Sequence, residues 1–184
     1  MKVLSGSGAG STAGIVAGID WAAKDNDGGQ GVANLSLGGL ISMALNEATN
    51  GAFAAGLAMI VASGNSNGNS CLFSPASAAD AFTVDASDNT DRRSSFSNHG
   101  ACSSLFAPGT SITSTWIGDP WSINTISGTS MAAPHVAGVA AVMRQKQPEA
   151  TVAQIYKQLL DGATKGAIDQ LGGSPNLLLY KDCA

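Results

Sequence analysis

The sequence predicts an α/β fold, a mostly parallel sheet covered by helices on both faces. Three observations point there. Short continuous apolar runs alternate with stretches of helical periodicity. These runs lack the polar alternation of a half-exposed strand, so both of their faces must be covered. Hydrophobic residues make up 44% of the 184 positions and charged residues 12%. That charge share is about half the usual one, and the chain is long enough to bury a core and too apolar for disorder.

The elements follow in order. Lys2-Val3-Leu4 reads as the end of a strand. Ser11 is an N-cap, and Ile15, Ile19 and Ala22-Ala23 form an apolar face that ends before the turn Asn26-Asp27-Gly28-Gly29. Val32 to Leu37, closed by Gly38-Gly39, suits a buried strand. Ser42 opens a second helix with Leu45, Ala48 and Ala52 on one face and Gly56 as C-cap. Leu57–Ala62, Ala81–Ala86 and Leu105–Ala107 read as further strands, and Ile112–Trp116 with Trp121–Ile126 as a hairpin around Gly118-Asp119-Pro120. Ser130 opens a helix that Pro148 stops. Its first three turns carry no polar face, which predicts burial all round. Pro134 falls in or just after the first turn, where a missing N–H costs little. Thr151 caps a last amphipathic helix, Val152–Leu160.

Charge and length exclude several function classes. The net charge is −4 with no Lys/Arg run, so neither nucleic acid nor an anionic bilayer is an expected partner. The longest uncharged apolar run, Ala52–Ala62, is too short to span a membrane. Met1-Lys2-Val3-Leu4 has none of the parts of a signal peptide. Cys71, Cys102 and Cys183 allow one disulfide with a leftover thiol, or three free thiols.

The stretch Ser127-Gly128-Thr129-Ser130-Met131-Ala132-Ala133-Pro134-His135-Val136-Ala137-Gly138 is the informative one. It presents Ser130 at the N-terminus of a buried helix, where Oγ and a backbone N–H face outward and the dipole favours negative charge. A nucleophilic serine needs that setting. A plain N-cap needs only the hydroxyl, and composition does not choose between the two.

This string resembles the nucleophile motif of the subtilisin-like serine proteases, the subtilases. Asn34-Leu35-Ser36-Leu37-Gly38-Gly39, Val61-Ala62-Ser63-Gly64-Asn65, Ser74-Pro75-Ala76-Ser77, Arg92-Arg93-Ser94-Ser95-Phe96-Ser97-Asn98 and Phe106-Ala107-Pro108-Gly109 are similar to other stretches of the family, and of its proteinase K and aqualysin branch. The resemblance covers essentially the whole chain. It implies a three-layer αβα domain with a mostly parallel sheet, of which residues 1–184 would be a part lacking its N-terminal third. It implies Ser130 as nucleophile and Asn65 as oxyanion-hole donor. A peptide substrate would pair as an added strand with Gly8-Ala9-Gly10 and Ser36-Leu37-Gly38, and Ala62, Ser63 and Gly64 would wall a roomy uncharged pocket. It also implies a disulfide between Cys71 and Cys102.

A serine protease needs a general base and a carboxylate to orient it. The family's motifs for both are absent, and the histidines present, His99 and His135, are expected to be structural. The expectation is therefore a serine endopeptidase domain that is incomplete and inactive as this chain alone, from a secreted, monomeric parent acting on polypeptides. A non-catalytic peptide-binding fragment or pseudo-protease is the alternative. No cofactor is expected. The branch's structural calcium site has Ser104 where its carboxylate should stand.

Overall fold

The computed structural model describes residues 2–26 and 29–181. Cys183, Met1 and the middle of the Asn26–Gly29 turn lie outside the described residues. The architecture is a six-stranded sheet between two pairs of helices.

Helix α1 (Thr12–Asp25) begins where Ser11 Oγ accepts the Gly14 N–H at 3.1 Å. Strand β1 (Val32–Leu35) follows, then a two-residue strand β2 (Gly39–Leu40) and α2 (Met43–Ala54), capped by Ser42. Helix α2 ends with Gly56 at φ +85°, its N–H on Phe53 O and the Leu57 N–H on Ala52 O. These two bonds satisfy carbonyls that the helix end leaves open, and the backbone conformation suits glycine.

Strand β3 (Ala58–Ala62) is followed by a short 3₁₀ turn (Ser70–Leu72), β4 (Phe73–Ser74), β5 (Phe82–Ser87) and β6 (Leu105–Pro108). A hairpin of β7 (Ile112–Thr115) and β8 (Ile123–Ile126) precedes α3 (Thr129–Lys146) and α4 (Val152–Gly162), the latter closed by a capping box from Thr151 and Gln154. Short strands β9 (Thr164–Lys165) and β10 (Leu177–Leu178) complete the order. In the sheet the order is β1-β3-β5-β6-β10-β9, parallel except for the β10–β9 pair.

Strand β3 shows why its sequence is continuously apolar. Met59 and Val61 pack with Ile19, Leu45 and Ala52 of α1 and α2. Ile60 and Ala62 pack with Ala132, Val136, Ile155 and Leu159 of α3 and α4. Successive side chains point to opposite faces, and both faces are covered. At the far end of α3, buried Arg144 donates to the carbonyls of Gly29, Gly31 and Gly56, tying that end to the loops that enter β1 and β3.

Four readings of the sequence need correction. Lys2-Val3-Leu4 forms no strand; the following residues turn back instead, with the Ser5 N–H on Ala9 O, and no ladder partner lies beside them among the described residues. Strand β1 stops at Leu35, because Ser36 leaves the ladder to bond α3. Helix α3 starts at Thr129 after Gly128, so Ser130 is its second residue and not its opener. Nor is α3 buried all round: Ala132, Ala133, Val136 and Ala140 are buried, while Pro134, His135, Gly138 and Ala141 face outward. The sheet covers one side of the helix only. The two-residue strands β2, β4, β9 and β10 are too short to carry a periodicity in the sequence.

The Cys71–Cys102 disulfide is formed, with Cα atoms 5.3 Å apart, and joins the loop before β4 to the loop before β6. Closing 31 residues stabilises by about 3–4 kcal/mol in the chain-entropy description.

Candidate active site

Neighbouring parallel strands β1 and β3 end in step, Leu35 paired with Val61. Their carboxyl ends open onto the N-terminus of α3. In open α/β sheets a crevice at that end of the strands is where ligands bind.

The first turn of α3 organises Asn65. Asn65 Oδ1 accepts the Thr129 N–H and the Thr129 Oγ1–H, both at 2.9 Å. Thr129 Oγ1 in turn accepts the Gly64 N–H at 3.1 Å. With its oxygen doubly occupied, the amide has one sensible orientation, and Nδ2 is left to donate outward. Ser130 N–H has no acceptor among the described residues, as expected at the second position of a helix. The two donors border the same space. A methyl built on Gly128 would lie 3.6 Å from both Asn65 Nδ2 and Ser130 N.

Ser130 is half-buried, and its Oγ donates to Ser36 O at 3.3 Å. The return contact is stronger: Ser36 Oγ donates to Ser130 O at 2.7 Å. Pro134 explains it. In a regular helix the Ser130 carbonyl would accept the N–H four residues on, and proline has none. Ser36 supplies the missing donor and couples the end of β1 to Ser130.

A cavity of about 290 Å³ adjoins these groups, lined by Leu37, Gly38, Ala62, Ser63, Gly64, Asn65, Thr129 and Ser130 among others. Gly64 sits there at φ +108°, and a Cβ on it would fall 2.3 Å from Asn98 Nδ2, so only glycine fits. The cleft thus brings together Leu37, Gly38, Ala62, Ser63, Gly64, Asn65 and Ser130, with Ser36 bonded to Ser130 beside it, but not Gly8, Ala9 and Gly10. Those lie in an exposed turn and do not line this cavity.

Neither histidine is bonded to Ser130. His135 Nδ1 pairs with Met131 O at 2.8 Å on its own helix, and His99 Nδ1 with Gly172 O at 2.6 Å. Sequence reading missed the orienting role of Thr129 and the Ser36 hydroxyl. Both lie inside recognised motifs, but their roles are contacts across 64 and 94 residues, with no local signal.

On β5, beside β3, Asp85 is fully buried. It accepts Ser103 Oγ–H at 2.8 Å and Ser174 Oγ–H at 2.6 Å. Burial pushes its carboxyl up to about 6, against the hydroxyls of Ser174, Ser63 and Ser103 and nearby His99, which hold it down.

Known proteins resemble the chain along nearly all of its length. The model of the subtilase family matches residues 1–177. The chain is 48% identical over 181 residues to an extracellular serine proteinase of Thermus sp. (strain Rt41A), covering 98% of this chain and 44% of that protein. It is 47% identical over 180 residues to alkaline serine exoprotease A of Vibrio alginolyticus, covering 98% of this chain and 33% of that one. The crystal structure of a cold adapted subtilisin-like serine proteinase superposes with a TM-score of 0.95 at 44% identity, over 100% of this chain and 66% of that chain. The chain thus spans less than half the length of these two relatives.

Proposed function

The chain belongs to the subtilase family, and on that premise we propose that it is the nucleophile-bearing part of a serine endopeptidase domain. One observation carries this reading: the Asn65 amide, turned outward by Thr129, borders the same space as the unused Ser130 N–H. Two fixed donors beside a serine hydroxyl suit the tetrahedral oxyanion of acyl transfer, and such preorganised donors lower the barrier most where water is excluded.

In the proposed reaction Ser130 Oγ attacks the scissile carbonyl. The carbonyl oxygen becomes an oxyanion held by Asn65 Nδ2 and Ser130 N–H. Collapse of the intermediate expels the amine and leaves an acyl-enzyme, which water hydrolyses. The substrate backbone runs beside Ser36-Leu37-Gly38 as an added strand, with Gly8-Ala9-Gly10 as the opposite rail. The side chain before the scissile bond enters the cavity walled by Ala62, Ser63 and Gly64. No charged residue stands among those three, which favours apolar or aromatic side chains.

The proton of Ser130 needs a base. His99 and His135 are each held by a backbone carbonyl elsewhere, so the base and its orienting carboxylate are assigned to sequence outside these 184 residues, and this chain alone is inactive. The parent is a secreted monomer acting on polypeptides. The branch's calcium does not fit here. Ser104 offers a neutral hydroxyl, and that oxygen already accepts the Thr83 N–H at 3.0 Å, whereas calcium favours anionic oxygen.

Labelling the native source with a fluorophosphonate, followed by intact mass and peptide mapping, tests the reading. A label on Ser130 in a protein much larger than 18.3 kDa is expected. A folded native species of 18.3 kDa that takes no label would overturn it.

A further inference from the structure

The segment that carries Asn65 runs from the end of β3 to the 3₁₀ turn and belongs to no ladder. Its backbone N–H and C=O groups must find partners elsewhere or lose free energy. The Gly64 N–H goes to Thr129 Oγ1, the Asn67 N–H to Phe96 O, and Gly68 O accepts the His99 N–H. Four others converge on a single residue. Asn98, fully buried, accepts the Ser66 N–H at 3.0 Å and the Gly68 N–H at 2.9 Å on Oδ1. Its Nδ2 donates to Ser63 O at 2.8 Å, and its backbone N–H donates to Gly64 O at 2.9 Å. The positions on both sides of residue 65 are thus tied to Asn98, while the side chain of Asn65 goes to Thr129. The fit is tight, since Gly64 has no room for a Cβ against the Asn98 amide.

We propose that Asn98 is the positioning residue of the oxyanion hole: its side-chain amide is the template that shapes residues 63–68 and thereby sets where Asn65 Nδ2 stands. The role rests on the acyl-transfer reading above and deepens it. A primary amide suits the task because it offers a two-lone-pair acceptor and a donor on one rigid plane. A serine in its place is too short to reach three backbone groups, and an aspartate keeps the acceptor but turns the donor to Ser63 into a repulsive oxygen.

Two measurements test it. In the native-length protease, kcat and KM for a peptide ester are compared for Asn98→Asp and Asn98→Ser, alone and in an Asn65→Ala background. The expected result is a kcat loss of about 10- to 100-fold, the scale of a small misplacement of a catalytic group, with KM within about twofold. In the Asn65→Ala background the further loss should vanish, because Asn98 acts through Asn65. An unchanged kcat, or equal losses in both backgrounds, overturns the proposal. In the same native-length protein, the Asn65 side-chain amide resonance is identified by its disappearance in Asn65→Ala. It should shift or broaden in both Asn98 variants, and an unmoved resonance overturns the proposal without reference to activity. If the unsubstituted native-length protein neither cleaves the ester nor takes the label on Ser130, the proposed function falls, and the resonance alone then decides the role of Asn98.

Discussion

The cleft and the Asp85 cluster lie on adjacent strands and treat polar groups in opposite ways. At the end of β3, Asn65 Nδ2 and the Ser130 N–H are fixed in direction yet left without acceptors among the described residues. On β5, Asp85 is enclosed and both of its oxygens are taken by serine hydroxyls. Ser63 adjoins both regions: it lines the cleft, and its hydroxyl is among those that hold the Asp85 carboxyl down. The difference teaches what a site requires. Satisfied polar groups build structure, while an oriented group left unsatisfied at a solvent-reached cleft is ready for a ligand.

Three substitutions sharpen or break this comparison. The largest effect is expected from Gly128→Ala. Its backbone, φ 161° and ψ 159°, is extended, and the new methyl meets only ordinary contacts of 3.5–3.6 Å. The methyl occupies the space between the two free donors. The native-length enzyme should fold with an unchanged melting temperature and lose roughly 10²–10³-fold in kcat, the loss known for one oxyanion donor in a subtilisin. A normal kcat would show that the donors do not serve an oxyanion there.

The second is Asp85→Asn. Asp85 has a folded value of about 6 against 3.8 for the free group, so the folded state favours the protonated carboxyl. Its stabilising contribution is complete below about pH 4 and fades as pH rises through about 6. The full swing is on the order of 3 kcal/mol. Denaturant titrations across this range should show the parent losing stability relative to Asp85→Asn as pH rises from about 4 to about 6. Parallel curves would mean the carboxylate is compensated where it sits.

The smallest is Ser36→Ala, which strips the donor from the Ser130 carbonyl. Loss of that bond should lower stability by about 1 kcal/mol. A Pro134→Ala background restores a helix N–H for the same carbonyl, and there the loss should shrink. Equal losses in both backgrounds would separate Ser36 from the proline.

Most of the fold was legible in the sequence, for identifiable reasons. The caps Ser11, Ser42 and Thr151 stand where their hydroxyls are used. The continuous apolar strands are buried on both faces, and Gly56 closes α2 as its position suggested. These are signals carried within a few residues. The errors share a cause as well. The apolar residues of α3 predict burial all round, but alanine and glycine tolerate an exposed face, and burial depends on which layers are present. The Lys2–Leu4 strand failed because a strand is defined by a neighbour, not by its own residues.

Of the candidate site, sequence by itself determined the chemical parts: a serine behind a small flexible turn, an asparagine after a buried strand, and glycines where the chain passes close to other atoms. It also determined the family, through a motif long enough to be specific. Only the tertiary structure decided how those parts act. It turned the Asn65 amide by Thr129, exposed the Ser130 N–H beside it, and gave Ser36 and Asn98 roles that no neighbouring residue announces. The physical reason is distance along the chain. A hydrogen bond between residues 36 and 130, or between 65 and 129, is short in space but spans 94 or 64 positions of sequence. Its energy depends on how the layers pack and not on either residue's surroundings in the chain.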